Sequence, residues 1–302
     1  MKEGSSLIKE ECTWPEIRES TSFLLPLFGF IFIFILVPVL GTMVTSLYED
    51  VSFLPRKFVF LSHYNRLFSD PLFWRTLRFT LLFIIVSVLV ETLLGLMLAL
   101  ILNLNVPGRG PLRACILIPW VIPSAISART WELIYNYHYG LANFAFLKLG
   151  LSSRPLNWLG TGTSAFLSLV IADVWKTTPF VAIILLAGLQ AIPQELYSQA
   201  KVDRANFLQI FSGITLPLLK PVIIVALLFR TIDALRIFDL IYVLTGGGPG
   251  GSTTSLSLYA YKYFASGDFG YGSTLSVILF GIALLFSIFY IKSGRFTDHV
   301  FL

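Results

Sequence analysis

Six stretches of this chain are long, apolar and almost free of charge: residues 22–47, 79–102, 114–135, 164–189, 218–244 and 272–291. A bilayer's hydrocarbon core is crossed by about 20 apolar residues in a helix. Inside it every backbone N–H and C=O must be satisfied by the segment itself, which leaves helices and closed barrels as the available solutions. Runs this long and this uniform lack the period-2 alternation of barrel strands. The prediction is an all-α polytopic membrane protein with six transmembrane helices. Charged residues make up 13% of the chain, about half the usual share in soluble domains. The formal charge of +5 fits basic residues at membrane margins. No basic cluster with interleaved aromatics points to nucleic acid. Cys12 and Cys115 stand too far apart, and in too different surroundings, to suggest a disulfide framework or a metal pair.

Between the fourth and fifth apolar runs lies a polar island, IPQELYSQAKVDRANFLQIFSGITLPLLKP. It has an apolar face of its own, because Leu196, Ala200, Phe207, Ile210, Phe211 and Ile214 recur at three- and four-residue steps. Pro193 is placed to start this helix and Pro217 to stop it. Its polar face mixes acids and bases, unlike the lysine-rich face of a lipid-surface helix. The island therefore reads as a docking element for a partner.

The same residues resemble the EAA loop of the binding-protein-dependent ABC importer permeases, with the likeness running from about residue 22 to 292. That family's pattern, E-A-A, then D-G-A, then I-x-L-P, is matched in spacing by Ser198-Gln199-Ala200, Asp203-Arg204-Ala205 and Ile214-Thr215-Leu216-Pro217. Ser198 replaces the usual Glu and Arg204 the usual Gly. Glu195, one turn before Ser198, is the candidate substitute for the missing charge. Arg204 at a left-handed bend is expected to cost roughly 1–2 kcal/mol. The likeness is strongest to sugar permeases of the maltose type, which carry the run seen here from Phe238-Asp239-Leu240 to Leu244-Thr245-Gly246-Gly247-Gly248-Pro249.

The resemblance implies an ABC type I importer permease fold with three regions. Residues 1–21 and 293–302 would be cytoplasmic tails, and residues 22–292 the transmembrane domain, with the coupling loop at 192–217. It implies two short helices at an angle in that loop, seated on an ATPase. Glu195, Ser198, Gln199, Ala200, Asp203, Arg204, Ala205, Leu216 and Pro217 would be the ATPase-coupling residues. Its implied partners are a second homologous permease, two ATP-binding subunits, an extracytoplasmic solute-binding protein and the bilayer. The implied location is the cytoplasmic (inner) membrane of a prokaryote. Lys and Arg are nearly balanced between the two sets of loops, so the orientation rests on the docking loop rather than on charge bias.

No G-x-x-x-x-G-K-[ST] run occurs. The chain is thus expected to carry no cofactor and to perform no covalent chemistry, with Mg-ATP bound by partner subunits. The glycine turn TGGGPGG follows an apolar helix rather than a strand and lacks a Lys-Ser/Thr, so it reads as a flexible outer turn rather than a phosphate cradle.

Charge inside a span costs roughly 2.5–3.5 kcal/mol on insertion scales, so each such residue needs a reason. Asp173 and Lys176 share a face of the fourth span, and Arg230, Asp233, Arg236 and Asp239 form one stripe along the fifth. Two readings stand. These residues are internal ion pairs that fix helix packing, or they line a polar cavity for a hydroxylated solute. The resemblance places a solute site on the two spans flanking the loop, and the substrate-path candidates there are Asp173, Lys176, Thr177, Phe180, Arg230, Asp233 and Arg236. Glu91, alone in the second span, is expected to pair at a subunit interface. The function expected is a permease subunit of an ATP-driven importer for a sugar or related polyol. The alternatives are an importer permease for another solute and an ion-coupled secondary transporter.

Overall fold

The computed structural model describes residues 14–104 and 108–294, the side chains of 14–22 excepted. Of the expected tails, residues 1–13 and 295–302 lie outside the described part. Residues 14–22 are already helical, so the first helix reaches back into the stretch expected to be tail.

Five helices are long and apolar enough to cross a membrane: Phe23–Thr45, Pro71–Asn103, Gly162–Ala191, Phe207–Leu235 and Phe269–Gly294. They are spans 1, 2, 4, 5 and 6 below. Span 3 is a pair, Arg109–Val121 and Ser124–Ile134, bent by 90° at Ile122–Pro123. The straight crossing expected over 114–135 is thus corrected. A proline disfavours helical backbone in the residue before it, and Ile122 is extended at ψ 129°.

Span 2 begins two turns before the expected residue 79. Asp70 accepts a hydrogen bond from the Leu72 N–H at 2.8 Å and Pro71 takes the first helical position. Its inward face repeats at helical spacing through Phe79, Phe83, Ser87, Glu91, Gly95, Ala99 and Leu102. Span 4 starts on a capping box between Thr161 and Ser164. The two spans pack at close range. A Cβ built on Gly95 would lie 2.7 Å from Val181 Cγ1 and 3.2 Å from the Ala182 backbone nitrogen. Only a residue without a side chain fits there. Span 1 has none of its apolar window buried and packs on span 6 through its second half, Val37–Thr45.

Two helical turns contain an extra residue, Phe32–Leu36 and Phe211–Thr215. Each closes on the residue before a proline: the Val37 N–H bonds the Phe32 carbonyl, and the Leu216 N–H bonds the Phe211 carbonyl. The prolines, Pro38 and Pro217, have no N–H and would press on the preceding turn. Widening that turn relieves both problems without breaking the helix. Pro217 therefore does not stop the loop helix, as the sequence suggested, and span 5 runs unbroken from Phe207 to Leu235.

Span 5 does stop at Leu235. Arg236 caps it, and a separate short helix, Asp239–Leu244, follows. The expected four-residue ionic stripe is corrected accordingly, since Asp239 stands on a different helix from Arg230 and Asp233. The Ser255 hydroxyl donates to the freed Ile237 carbonyl at 2.9 Å. The glycine turn is also tied down rather than flexible. Thr253 Oγ1 bonds the Gly248 carbonyl at 2.6 Å and Thr245 Oγ1 at 2.9 Å, and Thr254 Oγ1 bonds the Gly247 carbonyl at 3.2 Å.

Replacing Gly95 by Leu forces spans 2 and 4 apart. Overpacking of this kind costs about 1–3 kcal/mol or more, read as a lower midpoint of thermal unfolding in detergent, whereas Gly110→Leu, where no atom lies within 4 Å of the added Cβ, leaves the midpoint unchanged.

Candidate functional site

Arg230 on span 5 is 2% exposed and is held by three carboxylates. Its Nε and Nη2 donate to the two oxygens of Glu91 on span 2 at 2.5 and 3.0 Å, a two-pronged pair. Nη2 also reaches Asp173 on span 4 at 3.2 Å, and Nη1 reaches Asp233 one turn on at 2.5 Å. Asp233 in turn accepts from Arg236 at 3.3 Å. Glu91 is fully buried. Its partner lies within this chain, not at a subunit interface as the sequence reading had it. Asp173 and Lys176 start from one helix face but make different contacts. Lys176 Nζ donates to the carbonyls of Ile122 and Trp120 at 2.6 and 3.3 Å. Those oxygens are left over by the break in span 3, so the ammonium caps the end of its first helix.

This network forms the wall of a cavity of about 520 Å³ between the break in span 3, span 4, and the end of span 5 with the short helix after it. Six of the seven substrate-path candidates line it: Asp173, Lys176, Thr177, Arg230, Asp233 and Arg236. Phe180 does not, and instead stacks on Trp120 with ring centres 5.5 Å apart. Thr177 donates its hydroxyl to the Asp173 carbonyl at 2.6 Å. Three basic and three acidic side chains face the cavity, Asp239 being the third acid, so its lining carries no net formal charge. Asp233 and Arg236 are its open, hydrated edge, with side chains 52% and 70% exposed. Apolar rings of Trp120 and Phe238 complete the wall. The sequence reading missed Trp120, the Ile122–Ser124 break and Phe238. The prolines at 119 and 123 were the available signal for the break.

At the other end of span 4 the polar island forms two helices, Gln194–Val202 and the start of span 5 at Phe207. The first ends in a Schellman turn, with Ala205 N–H on the Ala200 carbonyl at 2.9 Å and Arg204 N–H on the Lys201 carbonyl at 3.1 Å. Arg204 sits at φ 58°, the left-handed position that glycine usually takes. The second helix opens on a reciprocal pair, Gln209 N–H to Asn206 Oδ1 and Asn206 N–H to Gln209 Oε1. The apolar face divides between two destinations. Ala200 is buried, and Leu196 and Ile214 pack on the core around Leu189 and Leu219. Val202, Phe207 and Leu208 point outward, 82%, 69% and 71% exposed. Glu195 and Asp203 are exposed, and Ser198 spends its hydroxyl on the Gln194 carbonyl at 3.1 Å.

Residues 91–293 match the family of binding-protein-dependent transport system inner membrane components. The chain belongs to that family. It is a multi-pass permease subunit. The trehalose/maltose transport system permease protein MalF of Thermococcus litoralis is 58% identical over 274 residues, covering 90% of this chain and 92% of that protein. The sulfoquinovosyl glycerol transport system permease protein SmoG of Agrobacterium fabrum is 38% identical over 267 residues, covering 87% and 86%. A chain of the bacterial alginate ABC transporter, solved in complex with an alginate pentasaccharide-bound periplasmic protein, superposes with a TM-score of 0.81 at 24% identity, covering 95% of this permease and 99% of that chain. That last likeness is one of fold, and it bears out the type I permease architecture.

Removing Arg230 strands three carboxylates against one another. Arg230→Leu is expected to cost about 3–5 kcal/mol, seen as loss of folded protein or a sharply lower unfolding midpoint. Adding Glu91→Leu to the same chain recovers part of that loss, and a double-mutant cycle of the midpoints measures how much.

Proposed function

We propose that this permease carries a sugar or related polyol, delivered by a solute-binding protein, through the cavity at Asp173, Lys176, Thr177, Arg230, Asp233 and Arg236. The observation that carries this reading is the balanced, half-open cavity. Its carboxylates, guanidinium groups and ammonium supply acceptors and donors for hydroxyl groups, and its aromatic rings supply faces for ring C–H surfaces. A lining without net charge favours an uncharged solute over an ion. The trehalose/maltose transport named for the Thermococcus litoralis relative points the same way.

In this reading ATP is bound and hydrolysed by two partner subunits, a second homologous permease closes the other half of the path, and no cofactor is held here. The exposed Val202, Phe207 and Leu208 patch, flanked by Glu195, Asp203 and Arg204, seats on an ATPase. Ser198, occupied within its own helix, contributes no charge there, whereas Glu195 is free to do so. Closure of the ATPases would shift the loop and rock the spans between outward- and inward-open states.

The test is uptake of labelled trehalose or maltose by vesicles holding the full assembly. Asp233→Asn and Arg236→Gln each remove a hydrogen-bonding partner at the open edge, at about 1.5–3 kcal/mol per charged hydrogen bond. Uptake should fall at least tenfold while the chain still inserts. Asp203→Ala or Leu216→Ala should instead leave ATP hydrolysis running without uptake. Wild-type transport in all four variants would refute the assignment.

A further inference from the structure

A second cavity, of about 980 Å³, lies at the end of the molecule farthest from the 192–217 loop, along the flank of span 2 and against the start of span 4. Its lining runs from Phe68 and Pro71 through Trp74, Arg75, Arg78 and Phe79 to Leu82, and it is closed by Gly162, Thr163, Phe166 and Ser252. None of these residues belongs to the solute cavity or the coupling loop.

Two features here call for an anion. Arg75 and Arg78 are exposed one turn apart, and among the described residues neither forms an ion pair or hydrogen bond. Arg56, by contrast, lies on Asp50, Arg66 over the Tyr271 ring, and Arg129 on Glu132. The opening turn of span 4, at Gly162 and Thr163, also lines the cavity. It begins a 30-residue helix, whose positive end adds to the field of the arginines.

The rest of the cavity calls for an acyl chain. Phe79, Leu82 and Phe166 are apolar, and beyond them span 2 leaves Leu82, Ile85, Leu89 and Leu93 exposed by 56–62% on one face. Trp74 lies at the top of the groove, its indole N–H bonded to the Phe68 carbonyl at 2.9 Å. An indole at that depth marks the headgroup boundary. A phosphate ester above and a hydrocarbon tail below are the two halves of one molecule.

We propose that this cavity is a binding site for an anionic phospholipid, with its phosphate held by Arg75 and Arg78 beside the opening turn of span 4 and a tail laid along Phe79, Leu82 and Phe166. A binding site so placed fixes the outer ends of spans 2 and 4 against each other. It would make the fold's stability depend on lipid charge.

The experiment is native mass spectrometry of the protein purified in mild detergent with the subunits it retains, stripped of lipid and titrated with phosphatidylglycerol or phosphatidylcholine. Phosphatidylglycerol should bind more tightly and raise the unfolding midpoint, and millimolar inorganic phosphate should not displace it. R75Q/R78Q should weaken phosphatidylglycerol binding roughly 30-fold and leave phosphatidylcholine binding unchanged. The control Arg154→Gln should leave the binding of both lipids unchanged. If the double variant is not recovered folded, R75Q and R78Q taken singly should each weaken binding about fivefold. Equal binding of phosphatidylglycerol by variant and wild type overturns the proposal. Full displacement by phosphate overturns the lipid and leaves a free-anion site. Loss of stimulation by a solute-binding protein with lipid binding intact assigns the arginines to protein docking instead.

Discussion

A guanidinium withdrawn from water at the crossing of three helices sets the terms for the rest of this structure. Arg230 is bound in two prongs to Glu91 and reaches Asp173 and Asp233. Burying one cation and its partners costs several kcal/mol per ion before the attraction between them is counted. Apolar residues of the same volume could hold spans 2, 4 and 5 together at lower cost. What they would not do is choose one register, because a Leu face slides past another Leu face with little change in energy. The charges reward a single alignment of the three helices. Because the cluster ends at the hydrated Asp233–Arg236 edge, the same residues that fix the packing also give the cavity its polar wall. Of the two readings left open by the sequence, internal ion pairing describes the buried half of the network, and its exposed half lines the cavity proposed to take the solute.

Several irregularities in the helices are compensated locally, either by a neighbouring side chain or by a change in the turn itself. The carbonyls left at the 90° break accept from Lys176, and the carbonyl after span 5 accepts from Ser255. The prolines at 38 and 217 are accommodated by a widened turn. In hydrocarbon such compensation is obligatory, since no water can replace the missing bond. Departures from a straight helix therefore have to be compensated, and one of the compensating residues, Lys176, also lines the cavity.

The six-span plan was legible because long apolar runs admit few alternatives. The two-helix form of the 192–217 loop was legible because its apolar spacing and motif agreed. Most of the cavity's charged residues were legible too, because charge inside a span demands a partner. What could not be read was which partner. Glu91 and Arg230 lie 139 residues apart, and nothing local in either helix reports the other. The break at Ile122 and the stop at Leu235 were missed for a related reason. Apolar character continues straight through both, and the signal for a bend lies in backbone demands that hydropathy does not register. Pro217 misled in the opposite direction, since a proline marks a stop only where the chain does not widen the preceding turn.

The unbroken helix from Phe207 to Leu235 has a mechanical meaning. One end carries the exposed apolar patch of the loop, and the other carries Arg230, Asp233 and the cap at Arg236. At 1.5 Å per residue the two are separated by about 40 Å of continuous hydrogen-bonded rod. Apart from the widened turn at Phe211–Thr215 the helix is continuous, and, with the rod moving as one body, a tilt of about 10° at the patch would swing the charged end by roughly 7 Å. That is comparable to the width of a single sugar ring. Such a rod would link the two faces of the membrane through its own stiffness, without a relay of side chains.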